Sequence, residues 1–231
     1  MAEPLLEVHA LRGGYGGKPV LQGVDVTVLQ GEIVAVIGRN GVGKTTFLRM
    51  LMGLLPANAG TVRLRGTELA RLPAHRRARL GIGYVPQGRD VFPRMTVEEN
   101  LRVGERGPPD YGAIYDVFPI LRERRKQQAG TLSGGQQQQL AIGRALIGRP
   151  DLILLDEPSE GIQPNIVQDI GRIAVELNRS TGVTIVLVEQ NLDLIRATAQ
   201  RGYVMDKGRI TAELTQDALA DRETVRHHLA I

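Results

Sequence analysis

Cysteine is absent from the 231-residue chain, which excludes disulfides and thiolate metal sites. Aromatic residues make up only 3%, too few for the stacking platforms that hold single-stranded nucleic acid, and no nucleic-acid partner is expected. Long apolar runs are missing as well. A typical one, residues 183–188, falls far short of the roughly 20 residues that span a bilayer, so the chain is not expected to be a membrane channel. The four histidines, His9, His75, His227 and His228, show no ligand spacing. The opening MAEPLLEVHA has an early Glu3 and Pro4 and no basic-then-apolar export pattern; the expectation is a protein that stays inside the cell.

What is present suits a globular protein: 42% hydrophobic and 23% charged residues, in a length that supports one domain with a subdomain. The net charge of +4 permits contact with anionic surfaces without requiring it. The basic clusters His75-Arg76-Arg77-Ala78-Arg79 and Arg122-Glu123-Arg124-Arg125-Lys126 read as exposed faces of short helices.

The chain is organised around Gly38-Arg39-Asn40-Gly41-Val42-Gly43-Lys44-Thr45-Thr46, which fits G-x-x-x-x-G-K-[ST]. Gly38, Gly41 and Gly43 let the backbone bring its N–H groups close to a polyphosphate. Lys44 offers a point charge to the β- and γ-phosphates, and the Thr45 hydroxyl is a ligand for Mg²⁺. Residues 32–37 read as a buried strand before the loop and residues 47–52 as a helix after it, the arrangement that aims a helix N-terminus at phosphate. These residues predict binding of a nucleoside triphosphate.

Residues 5–11 and 20–28 alternate as half-buried antiparallel strands do. Between them Gly13-Gly14-Tyr15-Gly16-Gly17 places a tyrosine ring on a flexible loop, where a base could stack. Gly83-Tyr84-Val85-Pro86-Gln87 reads as a short strand stopped by proline, and Thr96 with Glu99 has capping-box spacing. From there to about residue 128 the pattern is of short helices. In Leu132-Ser133-Gly134-Gly135-Gln136, Ser133 can cap a helix whose first N–H groups face an anion. Gly143 within that helix costs on the order of 1 kcal/mol relative to alanine, for no reason evident in the sequence beyond close packing.

Asp151-Leu152-Ile153-Leu154-Leu155-Asp156-Glu157 reads as a buried parallel strand with two carboxylates at its C-terminal end, where open α/β sheets bind ligands. Asp156 is suited to hold Mg²⁺ and Glu157 to take a proton from, or orient, an attacking water. A helix over 166–177, a strand over 184–188, a helix over 192–199, paired strands over 201–205 and 209–213, and a last helix over 221–229 of unknown purpose complete the reading.

Over nearly its whole length the sequence resembles the ATP-binding subunits of ABC transporters. The phosphate loop (residues 38–45), Gln87, the LSGGQ formed by Leu132, Ser133, Gly134, Gly135 and Gln136, and Asp156-Glu157 stand in the family's order. The resemblance implies an α/β P-loop NTPase fold of the ABC ATPase type. That fold has a core from residues 1–86 and 150–231, with an antiparallel β part, and a helical subdomain over about 88–149, all in one domain over 1–231. It further implies that Tyr15 stacks on adenine, that Gln87 touches Mg²⁺ and senses a membrane partner, and that Ser133, Gly134, Gly135 and Gln136 contact ATP held by another subunit. ATP and Mg²⁺ are the implied cofactors. The implied partners are a second ATPase subunit, membrane permeases and, indirectly, an extracellular substrate-binding protein, with the chain on the cytoplasmic face of the membrane.

Two positions depart from the family pattern. Gln190 stands where a histidine is usual, and Gln163 where an aspartate is usual. A glutamine amide can donate to a γ-phosphate but cannot take up a proton, so Gln190 fits a positioning role in catalysis. Val188-Glu189-Gln190-Asn191 is similar to branched-chain amino-acid importers. Ser159-Glu160-Gly161-Ile162-Gln163-Pro164, the four glutamines 136–139 and Tyr203-Val204-Met205-Asp206 look more like the urea-importer branch of that group. Urea is therefore the expected cargo, with a branched-chain amino-acid importer as the alternative, and a soluble ABC-type ATPase or a nucleotide-dependent clamp as rival readings.

Overall fold

The computed structural model describes residues 3–229; the ends of the expected 1–231 domain, residues 1–2 and 230–231, lie outside them. Two long strands come first, β1 (Pro4–Tyr15) and β2 (Lys18–Leu29). They pair antiparallel through the two-residue turn Gly16-Gly17, with φ of 56° and 79°. Positive φ at both positions is what a tight hairpin of this twist requires. Tyr15 is accordingly the last residue of β1, opposite Lys18, which corrects its expected place on a flexible loop.

The chain continues through β3 (Ile33–Ile37), α1 (Lys44–Met52), β4 (Ala59–Leu64), β5 (Thr67–Glu68), α2 (Ala74–Arg79) and β6 (Ile82–Val85). An insertion of helices follows: α3 (Val97–Val103), α4 (Tyr111–Val117), α5 (Pro119–Glu123), a 3-10 turn (Ala129–Thr131) and α6 (Gly134–Leu146). The last third contains β7 (Leu152–Asp156), α7 (Pro164–Thr181), β8 (Thr184–Glu189), α8 (Leu192–Thr198), β9 (Arg201–Asp206), β10 (Arg209–Thr215), α9 (Gln216–Ala220) and α10 (Arg222–Leu229).

Among the described residues the strands form two sheets, ordered β2-β1-β4-β5 and β10-β9-β3-β8-β7-β6. In the second, β9, β3, β8, β7 and β6 run parallel, and β10 adds an antiparallel edge. Strands β3, β7 and β8 are buried at every position, as strands covered on both faces must be. Phe47, Leu48 and Leu51 of α1 are fully buried in one apolar cluster with Leu5, Leu6 and Val24 of the antiparallel sheet, so α1 is sandwiched between the two sheets. The other face of the parallel sheet packs on α6 and α7.

Gly143 gains its reason here. A Cβ at this position would lie 3.2–3.3 Å from side-chain carbons of Leu121, Ile114 and Leu101, so α3, α4 and α5 converge on α6 where it has no side chain. The last helix also has a packing role: Val225 is buried with Ile195, Leu214 and Leu219.

The basic cluster on α2 is only partly an exposed face. Arg77 is buried, and it donates from Nε to the Leu72 carbonyl and from Nη1 to the Met50 and Leu51 carbonyls at 2.7 and 2.8 Å. The last carbonyls of a helix lack partners within it, and Arg77 satisfies two of them at the end of α1. Burial pulls its pKa below the ordinary arginine value. The cluster over residues 122–126 is exposed, as expected.

Candidate active site

Register puts the chemistry in one place. Ile37 at the end of β3 is opposite Glu189 at the end of β8, and Val188 is opposite Asp156 at the end of β7. Three loops therefore leave adjacent strand ends: the phosphate loop, the Glu157 loop and the Gln190 loop.

In the phosphate loop Gly41 and Gly43 have φ of 81° and 116°, and a Cβ on Gly38 would lie 2.5 Å from the Met205 carbonyl oxygen. Arg39, Asn40 and Gly41 are exposed and Val42 is half-buried. Lys44 opens α1 and is 3% exposed. Its Nζ donates to the carbonyls of Gly38 at 2.8 Å and Arg39 at 3.0 Å, and it pairs with Glu157 Oε1 at 3.0 Å. Thr46 is buried behind it.

Asp156 is 1% exposed and accepts on both oxygens, from Thr45 Oγ1 at 2.9 Å and from the Tyr84 hydroxyl at 3.0 Å. Burial raises its pKa above the usual carboxylate value, and these two hydrogen bonds offset part of the rise. Burial and the neighbouring Asp156 charge push Tyr84 strongly upward in turn, so it remains a donor. Tyr84 was not among the expected site residues. It pairs with Leu154 across β6 and β7, and Leu154 shares a sheet face with Asp156 because alternate residues do; only strand register reveals this.

Glu157 follows with φ of 46°, a left-handed backbone that costs a non-glycine residue roughly 1–2 kcal/mol. Gln87 Nε2 donates to Glu157 Oε2 at 3.4 Å and, at a shorter 2.8 Å, to Glu160 Oε2. Thus Lys44, Gln87 and Glu157 form one bonded group and Thr45, Tyr84 and Asp156 another. The two lie side by side in one network of neighbours because Lys44-Thr45 and Asp156-Glu157 are consecutive in the chain. A hydroxyl and a carboxylate oxygen side by side fit Mg²⁺, a hard cation that takes its remaining ligands from phosphate and water. A lysine and helix start behind the loop fit phosphate.

Other expected residues lie around this network. The Tyr15 hydroxyl accepts from Arg49 Nη1 at 3.3 Å and its ring is 44% exposed. Gln190 and Gln163 are both exposed, the latter just before α7 with no side-chain bond to the helix start. Ser133 and Gln136 form a capping box at the start of α6, each side chain bonding the other's backbone N–H. A Cβ on Gly134 would lie 2.9 Å from Arg89 Nη1, and one on Gly135 2.7 Å from Ile166. Arg89 also bonds the Glu160 and Gly161 carbonyls. Ser133, Gly134, Gly135 and Gln136 therefore border the loop after Glu157, and among the described residues no hydrogen bond joins them to the phosphate loop.

Residues 21–160 match the family model described as ABC transporter. The chain is 47% identical over 92% of its length to the high-affinity branched-chain amino acid transport ATP-binding protein BraG of Pseudomonas aeruginosa, covering 93% of that protein. It is 36% identical to the probable branched-chain amino acid transport ATP-binding protein LivF of Archaeoglobus fulgidus, with 95% of each chain covered. Among solved structures, a nucleotide-free ATP-binding cassette from an ABC transporter superposes with a TM-score of 0.83 at 27% identity, covering 99% of both chains. The expected fold is thereby found. The expectation of urea gains no support from these relatives, whose names favour the alternative.

Proposed function

This chain belongs to the ABC transporter family as an ATP-binding subunit that hydrolyses ATP, and on that premise we propose that it powers an importer of branched-chain amino acids. One observation carries the choice of cargo: 47% identity along nearly the whole length to a subunit named for that transport. The stretches that resemble the urea branch, residues 159–164, 136–139 and 203–206, have no physical relation to a cargo; in the first of them Glu160, Gly161 and Gln163 are exposed.

In the mechanism we infer, the triphosphate lies along residues 38–46 with adenine against Tyr15. Lys44 exchanges its carbonyl and carboxylate partners for phosphate oxygens. Thr45 and Asp156 would hold Mg²⁺, with Gln87 beside them, and the ion bound there would supply positive charge against the phosphates. Glu157, relieved of Lys44, accepts the proton of the attacking water as general base. Gln190 donates its amide to the γ-phosphate and so positions it.

The chain holds one phosphate loop and one LSGGQ, and Ser133, Gly134, Gly135 and Gln136 border the Glu157 loop instead of the phosphate loop. The arrangement supports a dimer with a second ATPase subunit, each signature completing the other's site. No helix among the described residues is long and apolar enough to cross a membrane. A permease would supply the spans and dock from the cytoplasmic side at the cavity of about 640 Å³ lined by Tyr84, Phe92, Val103 and Arg144, where Phe92 and Val103 are 44% and 52% exposed. The extracellular binding protein would act through that permease.

Uptake of labelled leucine and labelled urea, in cells with and without the gene, tests the cargo. Loss of leucine uptake alone is expected; loss of urea uptake alone would overturn the reading.

A further inference from the structure

Glu189 closes β8 and is 1% exposed. A carboxylate in such a place costs several kcal/mol of hydration unless it is well partnered. Its partners here are backbone donors. Oε1 accepts from the N–H of Gln190 at 2.7 Å and of Asn191 at 3.0 Å, and Oε2 accepts from the N–H of Ser159 at 3.2 Å. Ser159 lies two residues beyond Glu157 on the loop from β7. Because β8 is the strand between β3 and β7, one side chain on the central strand grips its own loop with one oxygen and the neighbouring loop with the other.

We propose that Glu189 is a positioning residue for hydrolysis, fixing the Gln190 loop against the Glu157 loop. Gln190 is exposed and has no side-chain partner of its own among the described residues, so the placement of its amide depends on the backbone that Glu189 holds. A shorter or apolar side chain at the strand end would leave three N–H groups of two loops without an acceptor. Both loops would then be free to drift by fractions of an ångström, a scale on which catalytic alignment is sensitive. The proposal rests on the roles given above to Glu157 and Gln190 and is indifferent to cargo.

The test is a double-mutant cycle on the purified subunit assembled with its partners, using Glu189→Gln and Gln190→Ala. The substituted glutamine keeps one acceptor oxygen and turns an NH₂ toward a backbone N–H. Expected for Glu189→Gln is a kcat lowered by about tenfold, with the affinity for a fluorescent ATP analogue held within about twofold. In the Gln190→Ala background the same substitution should add less than about twofold. Wild-type kcat in Glu189→Gln, a parallel fall of affinity and kcat, or multiplicative losses in the double variant would each overturn the proposal. If Gln190→Ala alone hydrolyses normally while Glu157→Gln does not, Gln190 loses its role and the proposal falls with it, leaving the ATPase reading and Glu157 intact.

Discussion

Lys44 and Glu157 occupy each other: Nζ lies 3.0 Å from Oε1, with both side chains nearly buried. An ammonium has three donors, and Lys44 directs the other two at the Gly38 and Arg39 carbonyls. Phosphate must therefore displace existing partners, and its arrival releases the carboxylate that the chemistry needs. Glu157→Gln removes the competing charge. It should bind ATP up to about tenfold more tightly, ~1.4 kcal/mol, while phosphate release falls by about 10²–10⁴. A fluorescent-nucleotide titration beside a phosphate assay measures both; hydrolysis near the wild-type rate would remove Glu157 from its role. Lys44→Ala should instead weaken binding.

Tyr84→Phe removes one of two hydrogen bonds that favour the ionised form of Asp156. The Asp156 pKa, already raised by burial, should rise further, so fewer molecules carry the carboxylate at acidic pH. The acid limb of the ATPase profile should shift to higher pH, with more Mg²⁺ needed for half-maximal rate. Superimposable profiles would show that the Tyr84 hydroxyl does not tune this carboxylate.

Asp156→Asn should abolish turnover yet stabilise the nucleotide-free protein at neutral pH. An acid whose folded pKa lies above its unfolded value binds protons more tightly when folded, so its ionisation opposes folding. That cost is fully present above the raised pKa and vanishes below the ordinary value of 3.8. The gain in Tm over the wild type should thus shrink as pH falls through this window. A gain independent of pH would assign the effect to packing.

Arg77→Met should destabilise the fold by about 2–4 kcal/mol in urea unfolding, because it strands the buried Leu51 carbonyl, removes a donor from Leu72, and leaves Met50 with the Gly53 N–H alone. Its exposed neighbour offers a control: Arg76→Met should stay within about 0.5 kcal/mol. Equal effects would mean that the carbonyl bonds contribute little.

Gly143→Val places branched carbons where a Cβ alone would already crowd three side chains. Overpacking of this kind costs about 1–3 kcal/mol. Unchanged stability would show that α3, α4 and α5 move aside.

Much of the site is legible in the sequence because the residues concerned are neighbours in the chain. Gly38 to Thr46 bend one loop, and Asp156 with Glu157 ends one strand, so short spacings suffice to find them. Tyr84, Arg77 and Glu189 escape such a reading. The first depends on which residue of β7 stands beside it, the second on where α1 ends in space, and the third on a loop 30 residues away. The Arg77 cluster reads as exposed because a basic run ordinarily is, and carbonyls at a helix end are not visible in its composition. Tyr15 reads as a loop residue until the turn is found to need only Gly16 and Gly17. The cargo is not legible for another reason: the residues that resemble the urea branch, such as Gln163, have no physical relation to a cargo, so their pattern carries no chemistry that selects one.

Strand β3, from which the phosphate loop springs, is flanked by β8 and β9. During synthesis it emerges roughly 150 residues ahead of either, a wait of about 8–30 s at translation rates of ~5–20 residues per second. Through that interval an apolar strand has both edges unpaired, the condition that invites aggregation. The nascent chain thus carries an unpaired apolar strand until its last fifth appears, and only then does it acquire a place for nucleotide.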